Sequence, residues 1–520
     1  MPHPSIKRGS ADLIAGEWRP LDTAGAPIIS TNPAHPDEII WQGSARASHV
    51  NEAVAAARDA FNQWSRWPFE KRGAVLRRFA AVATARVEEM AALIRDEVGK
   101  PLWDAKAEAS LLAAKVEITL DPQGPLRRVT GFDVPLSPSR AGRAWFRPHG
   151  VMAVLGPFNF PAHLPNGHIV PALAMGNTVV LKPSDKTPAC GQLLAEFFHE
   201  AMESEKAPKG VVNLVQGGGA IAAALSSHEN IDGVLFTGSW PVGRRIMEAN
   251  LDRPGRILAL EMGGNNPAVI MPDADLKQAV IECVRSAFIS AGQRCTCTRR
   301  LIVHEAVAAR VIPAVCKAAS ALIIGDPRDA GAPVFMGPVI SRAARDEILL
   351  AQASMQRAGG RTLVLATAAG VGDADGGEGW YVSPGVMEVE RSTKQQRESA
   401  GADVEVFGPF LRVSVAASLD EAIEQANATD FGLAASIFTK DAAAIETFQR
   451  EARAGCVNVN TGTAGASSKL PFGGLGHSGN HRPAGAFSLD YCAYPVAGMI
   501  EQGDAATLPV GMRFEEGWLH

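Results

Sequence analysis

Apolar residues between positions 50 and 94 recur every three or four places, which is the spacing of amphipathic helices. Val50, Val54 and Trp64 mark one apolar face, and Phe79 and Ile94 belong to the faces that follow. The first part of the chain is therefore predicted to be largely helical.

After Pro148 the pattern changes to short, continuous apolar runs, separated by segments long enough for helices. Buried parallel strands in βαβ units have this pattern. The first series covers residues 151–155, 178–181, 211–215 and 233–236. A second series follows Gly263 and Gly264 and covers residues 267–271, 300–303, 410–415 and 457–460. Two series predict two successive α/β domains.

Four other stretches need a different interpretation. Residues 131–147 and 479–495 lack helical periodicity, so each is predicted to be an extended arm. Residues 150–181 form a long uncharged run, but its four prolines and three asparagines are poorly compatible with a membrane-spanning helix. A buried strand, an irregular loop and a helix are predicted there instead. Frequent glycine and aspartate between 370 and 379 indicate a surface loop.

The composition is that of a globular protein with more than one domain, because 46% of the 520 residues are hydrophobic and 20% are charged. The formal charge of −5, without a basic block, argues against nucleic acid as a partner. Seven scattered cysteines are too few for a disulfide scaffold, and the amino terminus lacks the apolar stretch of a secretory signal. A cytoplasmic protein with no membrane partner is expected.

The segment from Gly292 to Cys297 places a cysteine in small, polar surroundings. A nucleophilic cysteine needs partial exposure and a nearby donor or cation, which Arg294 could provide for Cys295. An isolated cysteine is more often a small core residue, so that alternative stays open. Cys295 and Cys297 could also bind a metal, but no second cysteine pair or histidine set with ligand spacing accompanies them, so no metal is expected.

Two polar residues stand at the ends of apolar runs. Glu261 is followed by two glycines, and burial there would raise its pKa toward the range of a general base. A structural cap is an equal alternative for Glu261. Asn159 is held between Pro157 and Pro161, where its amide could donate to an oxyanion, although such segments commonly form simple turns.

The segment from Phe236 to Gly243 follows an apolar run and precedes a predicted helix. Glycines such as Gly238 would let backbone N–H groups approach a pyrophosphate. The usual dinucleotide fingerprint has a glycine where this chain has Trp240, so the segment alone is a weak signal.

In this order, these segments resemble the aldehyde dehydrogenase superfamily. Further matches are residues 181–185, 405–409 and 471–479, and the resemblance extends from about residue 14 to about residue 496. It implies an α/β fold with a Rossmann-like coenzyme domain, a second α/β catalytic domain and a small β oligomerisation arm. The implied boundaries are residues 10–130 and 148–260 for the NAD-binding domain, 261–477 for the catalytic domain, 131–147 and 478–498 for the arm, and 499–520 for a C-terminal extension.

The resemblance also implies roles for single residues. Cys295 is the expected nucleophile, Asn159 and the backbone N–H of Cys295 are the expected oxyanion donors, and Glu261 is the expected general base. The expected NAD-binding residues are Lys182, Asp185, Gly238, Ser239, Gly243, Glu405 and Phe407. Asp185 stands where many NAD-dependent members have the longer glutamate, so the coenzyme preference is less firmly implied.

Strings such as 159–168 and 478–483 are similar to a branch of the family that oxidises a semialdehyde carrying several carboxylates. An anionic semialdehyde is therefore the expected small-molecule partner, and its expected contacts are Arg294, His477, His481 and Arg482. Alternatively, Arg294 forms a structural ion pair or lowers the pKa of Cys295, and residues 477–482 pack against a neighbouring subunit. The arms resemble segments through which family members form homodimers or homotetramers.

Three other functions remain as alternatives. A coenzyme A-acylating dehydrogenase often lacks the general-base glutamate, so Glu261 argues against it. The substrate could be another aldehyde or semialdehyde. A catalytically silent protein on the same fold would not need Cys295, Asn159 and Glu261 together.

Overall fold

The predicted helices and strands are present in a computed structural model, which describes residues 3–369, 379–391, 403–503 and 508–520. The loop predicted for residues 370–379 lies outside the described residues, except for Gly379. The α-helices are α1 (Ser48–Trp64), α2 (Phe69–Ala85), α3 (Val87–Val98), α4 (Leu102–Leu120), α5 (His163–Met175), α6 (Pro188–Ser204), α7 (Gly219–Ser227), α8 (Trp240–Glu248), α9 (Leu276–Phe288), α10 (Glu305–Ser320), α11 (Arg342–Arg357), α12 (Leu419–Asn427) and α13 (Ala442–Glu451).

The strands are β1 (Ala11–Ile14), β2 (Glu17–Pro20), β3 (Ile28–Thr31), β4 (Ile39–Gly43), β5 (Phe132–Ser137), β6 (Arg140–Pro148), β7 (Val151–Leu155), β8 (Thr178–Lys182), β9 (Val212–Leu214), β10 (Gly233–Thr237), β11 (Ile257–Glu261), β12 (Asn266–Ile270), β13 (Thr298–His304), β14 (Arg361–Val364), β15 (Gly385–Glu388), β16 (Phe410–Ala416), β17 (Ala434–Phe438), β18 (Cys456–Val459), β19 (Pro471–Phe472), β20 (Ala484–Gly485) and β21 (Ala493–Glu501). All eight predicted apolar runs lie in or overlap strands.

The first sheet has seven strands in the order β11-β10-β7-β8-β9-β1-β2, and the strands from β7 to β11 are parallel. Helices cover both of its faces. Met152 and Val154 of β7 contribute to one core with α2 to α6, whereas Val151 and Ala153 contribute to the opposite core with α1 and α7. A strand buried on both faces must be apolar at every position, which explains the continuous runs.

The second sheet also has seven strands, in the order β14-β15-β16-β13-β12-β17-β18, and only β14 runs antiparallel to its neighbour. Helices α9 to α11 cover one face, and α12 and α13 cover the other. The chain passes from the first sheet to the second between Glu261 and Asn266. This passage supports the domain boundary near residue 260, which stays a prediction.

The arm is a three-stranded antiparallel sheet in the order β21-β6-β5. Its C-terminal strand begins at Ala493 and extends to Glu501, so it starts later and ends later than the predicted 478–498 segment. Residues before it pack against the first domain, because Leu489, Tyr491 and Cys492 are apolar enough to enter its core. Seven-stranded sheets and a small arm agree with the predicted fold class.

Two hairpins near the amino terminus were not predicted. Strand β1 pairs with β2 and with β9, so it extends the first sheet at its edge. Strands β3 and β4 form a separate pair. In the described ranges, no helix is long and apolar enough to cross a membrane.

Candidate active site

A cleft of about 850 Å³ lies where the two sheets meet. Asn159 follows β7, Lys182 ends β8, and Gly238 follows β10, so parallel strand ends bring these residues to one edge of the first sheet. Eight of the predicted site residues line the cleft: Asn159, Lys182, Asp185, Gly238, Ser239, Cys295, Glu405 and Phe407. Residues far apart in the sequence therefore share one site.

Cys295 lies in a tight loop between α9 and β13. The Asn266 side-chain amide donates to the carbonyl oxygens of Cys295 and Cys297, both at 2.8 Å. The Asn266 side-chain oxygen accepts from the N–H of Ala434 at 3.0 Å, which connects the loop to β17. Gly292 has a φ of +68°, and a Cβ there would lie 2.0 Å from the carbonyl oxygen of Gly408. The backbone of this loop is therefore fixed by hydrogen bonds and packs too closely to allow a side chain at position 292.

The two nearby cysteines have different surroundings. Cys297 is fully buried and packs with Ile289 and Ala464, whereas Cys295 is partly exposed and lines the cleft. Burial of the thiol raises the pKa of Cys295, and Glu405 and Glu261 raise it further, while Arg299 opposes them. Of these two cysteines, only Cys295 can therefore meet a molecule in the cleft.

Two donors beside Cys295 are suited to an oxyanion. Asn159 is buried and donates one of its two side-chain N–H groups to the carbonyl oxygen of Gln293 at 2.9 Å. The backbone N–H of Cys295 has no acceptor within the described part of the chain. Donors already held in place need little reorganisation when negative charge develops on a substrate oxygen.

Glu261 is the last residue of β11 and is 5% exposed. One carboxyl oxygen accepts from the backbone N–H of Ala484 at 3.3 Å, and the other is buried without a hydrogen-bond partner among the residues described. Burial raises the pKa of Glu261 well above its ordinary value. A desolvated carboxyl that also affects the pKa of Cys295 is well suited to accept a proton beside the nucleophile.

The opposite part of the cleft is suited to a large anionic cofactor. Ser239 immediately precedes α8, so the positive end of the helix dipole faces the Gly238–Ser239 loop. Lys182 is buried, and burial lowers its pKa to about 8, while Asp185 opposes this shift. Asp185 itself is exposed at the cleft. These residues fit a dinucleotide, with its pyrophosphate at the helix start.

Three other predicted cofactor residues occupy distinct positions. Glu405 accepts from the backbone N–H of Gly264 at 3.1 Å, and Phe407 meets the ring of Phe158 edge to face at 5.8 Å. Gly243 does not line the cleft. A Cβ at Gly243 would lie 2.3 Å from the sulfur of Met262, so the glycine allows close packing of α8.

The structure does not bring the four predicted substrate residues together. Arg294 donates to Asp104 at 2.6 Å and to Ser290 at 2.9 Å, which favours the ion-pair alternative for this residue. His477 stacks against Trp240, and His481 and Arg482 are exposed. None of these three residues lines the cleft.

Sequence reasoning missed several residues that hold the site. Asn266 is the second residue after the glycine pair 263–264, and Gln293 lies within the cysteine segment, so both were inside recognised motifs. Asp104, by contrast, is 190 positions away from its partner Arg294. A buried asparagine after a glycine pair only weakly indicates a residue that fixes a loop through its side-chain amide. No local pattern identifies Asp104.

A family model described as "Aldehyde dehydrogenase family" matches residues 18–495. The chain belongs to the aldehyde dehydrogenase family. Its substrate is therefore an aldehyde, and its coenzyme is a nicotinamide nucleotide. The thiol, amide and carboxyl groups around Cys295 have the chemistry that such a reaction needs.

Individual proteins agree with this membership. The chain is 45% identical to N-succinylglutamate 5-semialdehyde dehydrogenase 1 of Caulobacter vibrioides, with 93% of this chain and 98% of the relative covered. It is 44% identical to N-succinylglutamate 5-semialdehyde dehydrogenase of Ectopseudomonas mendocina, with 96% and 98% covered. The crystal structure of an NAD-dependent aldehyde dehydrogenase from Sinorhizobium meliloti is similar, with a TM-score of 0.88, 29% identity and 98% of both chains covered.

Proposed function

We propose that this protein oxidises N-succinylglutamate 5-semialdehyde to N-succinylglutamate, with NAD as hydride acceptor, in arginine catabolism. The observation that carries the proposal is the identity of 45% and 44%, over nearly the whole of each chain, to two relatives with that printed activity. The arrangement of Cys295, Asn159 and Glu261 supports a thioester mechanism for this reaction.

The first stage joins the substrate to the protein. The thiolate of Cys295 attacks the aldehyde carbon, and the carbonyl oxygen becomes an oxyanion that accepts from the Asn159 amide and the Cys295 N–H. When bound, the nicotinamide coenzyme supplies the acceptor for the hydride that leaves this carbon. The product of this stage is a thioester on Cys295.

The second stage releases the acid. Glu261 takes a proton from water as the water oxygen attacks the thioester carbon, and Cys295 leaves as the thiolate. The carboxylic acid then loses its proton, so aldehyde, NAD and water give carboxylate, NADH and two protons. Buried Glu261 favours water as the acceptor of the acyl group over the thiol of coenzyme A.

NAD is the proposed coenzyme because Asp185 carries a carboxylate at the cleft. A carboxylate can accept hydrogen bonds from ribose hydroxyl groups, but it repels a 2′-phosphate. The proposed roles of Lys182 and Glu405 are to hold the nicotinamide ribose, and that of the Gly238–Ser239 loop is to hold the pyrophosphate.

The exposed apolar side chains of the arm support assembly as a homodimer or homotetramer. Phe132, Leu136 and Met499 are 61%, 52% and 73% exposed. Such a patch on a small sheet is typical of a protein contact surface. Seven free cysteines are compatible with a reducing compartment, for which we propose the cytoplasm.

The test measures NADH formation with N-succinylglutamate 5-semialdehyde and with a neutral aliphatic aldehyde of similar length, each with NAD and NADP. We expect a clear preference for the anionic substrate and for NAD, with the carboxylate product formed in the absence of coenzyme A. The preference for the anion should weaken at high salt. A higher kcat/KM for the neutral aldehyde would contradict the substrate proposal.

A further inference from the structure

An aromatic stack stands at the rim of the cleft, outside the groups that perform the chemistry. The indole of Trp240 lies flat against the imidazole of His477, with ring centres 4.1 Å apart and planes at 15°. Phe431 meets the same imidazole edge to face at 5.6 Å and 88°. Trp240 and Phe431 both line the cleft, and His477, which does not, contacts both of their rings.

The rings come from different sides of the cleft. Trp240 is the first residue of α8 and directly follows Gly238 and Ser239, which belong to the first sheet's side. Phe431 precedes β17 of the second sheet, and His477 lies in a short 3₁₀ turn, Gly476–Ser478. The Trp240–His477 contact therefore joins the proposed pyrophosphate loop to the turn that carries His477.

The turn that carries His477 is attached to both sides, since the N–H of Met262, just after β11, donates to the carbonyl oxygen of Ser478 at 2.9 Å. The His477 N–H donates to the carbonyl oxygen of Asp430 at 2.8 Å, and the Gly432 N–H donates to the Ser478 hydroxyl at 3.0 Å. Gly476 has a φ of +58°, and a Cβ there would lie 2.2 Å from the Asp430 carbonyl oxygen. His477 is thus presented to Trp240 on a backbone that has little freedom to move.

We propose that the Trp240–His477 stack is a clamp that retains the coenzyme, because it fixes the cleft-lining ring that directly follows the proposed pyrophosphate loop. The proposal rests on the proposed function, since it takes the cleft as the coenzyme site. Trp240 continues the loop expected to hold the pyrophosphate, so a ring fixed by His477 also restricts that loop. Loss of an aromatic stack should speed dissociation by about two- to tenfold.

The clamp is tested by the rate at which NADH leaves the whole protein, followed by NADH fluorescence after rapid mixing with excess NAD. We expect Trp240→Ala and His477→Ala each to release NADH about two- to tenfold faster. The double variant should be no faster than the faster single variant, because either change alone breaks the stack. His477→Phe, which restores a flat ring, should release NADH at nearly the wild-type rate.

A matched control is Leu251→Ala, just after α8, because this leucine is 76% exposed and its loss should leave release unchanged. The clamp is contradicted by unchanged release in both single variants, by faster release in Trp240→Ala alone, or by multiplying effects in the double variant. If wild-type protein shows no coenzyme fluorescence, the proposed function fails instead, so the two failures are distinguishable.

Discussion

The two sides of the cleft differ in how firmly the protein holds their polar groups. On the reaction side, Asn159 and Glu261 are buried, and the carbonyl of Cys295 accepts from a buried amide. On the coenzyme side, Asp185 and Ser239 are exposed, although Lys182 is buried. Groups that stabilise a transition state must be placed in advance, whereas groups that bind an incoming cofactor need access from solvent. Substitutions on the reaction side should therefore have the larger effects.

The largest expected effect is the difference in activity between variants of Cys295 and Cys297, which lie in the same loop. Cys295→Ala should lower kcat by at least about 10⁴-fold while NAD still binds, because no other group in the cleft can form the thioester. Cys297→Ala should reduce activity far less, since Cys297 is a packing residue. Steady-state rates and coenzyme titration by fluorescence check both variants. Equal losses of kcat in the two variants would contradict the assignment of Cys295 as the nucleophile and Cys297 as a packing residue.

Glu261→Gln should lower steady turnover by about 10²- to 10⁴-fold, because it removes the base for hydrolysis. The first turnover should still release close to one NADH per active site, because acylation precedes hydrolysis. Rapid-mixing absorbance and mass spectrometry of the quenched protein measure the burst and the acyl adduct. NADH release without an adduct on Cys295 would contradict the assignment.

The pH dependence sharpens this assignment. Burial raises the pKa of Glu261, so its carboxyl stays protonated at pH values where a free glutamate is already ionised. Only the ionised form accepts a proton, and the rate of hydrolysis should therefore rise as the pH increases through that raised pKa. Single-turnover deacylation, measured across a pH series, should show this rise in rate for the wild type. The rise should be absent in Glu261→Gln.

Asn266→Ala tests how much the hydrogen bonds that fix the Cys295 loop contribute to stability and to catalysis. The carbonyl oxygens of Cys295 and Cys297 and the N–H of Ala434 would lose their partner, which should cost about 1–3 kcal/mol of unfolding free energy. Because the nucleophile would also be less well placed, kcat should fall by about tenfold.

Asn250→Ala is the matched control for this substitution, because Asn250 is also buried and hydrogen-bonded but bonds Ser226, Ile246 and Arg256 instead of the Cys295 loop. It should lower stability to a similar extent and leave kcat unchanged. Urea unfolding and steady-state kinetics on both variants separate the two effects. Comparable losses of kcat would show that Asn266 acts only on stability.

The smallest effect is expected for Asp185→Ser on the open side of the cleft. Removing the carboxylate should shift the ratio of kcat/KM for NAD over NADP toward NADP by about tenfold, because a repulsive charge is lost. The rate of acylation at saturating coenzyme should not change. If wild-type protein already prefers NADP, the assigned role of Asp185 is wrong.

Several features were predictable because the information is local. Continuous apolar runs predicted the strands of both sheets, since a strand buried on both faces needs an apolar residue at every position. Cys295, Asn159 and Glu261 lie in short motifs whose order along the chain resembles one family. Asn159 reaches the cleft because parallel strands end at the same edge of a sheet, whereas the position of Cys295, in the loop before β13, depends on how the second sheet packs against the first.

Other features depend on tertiary packing, because the partners are distant in sequence and no periodicity connects them. Arg294 meets Asp104 of α4, and Trp240 meets His477, only after the helices and the two sheets have packed. Leu489, Tyr491 and Cys492 lie in the first core although they precede an arm strand, because buried positions there favour apolar side chains. The sequence alone determined which groups could react, and the packing of the sheets decided which of them share the cleft.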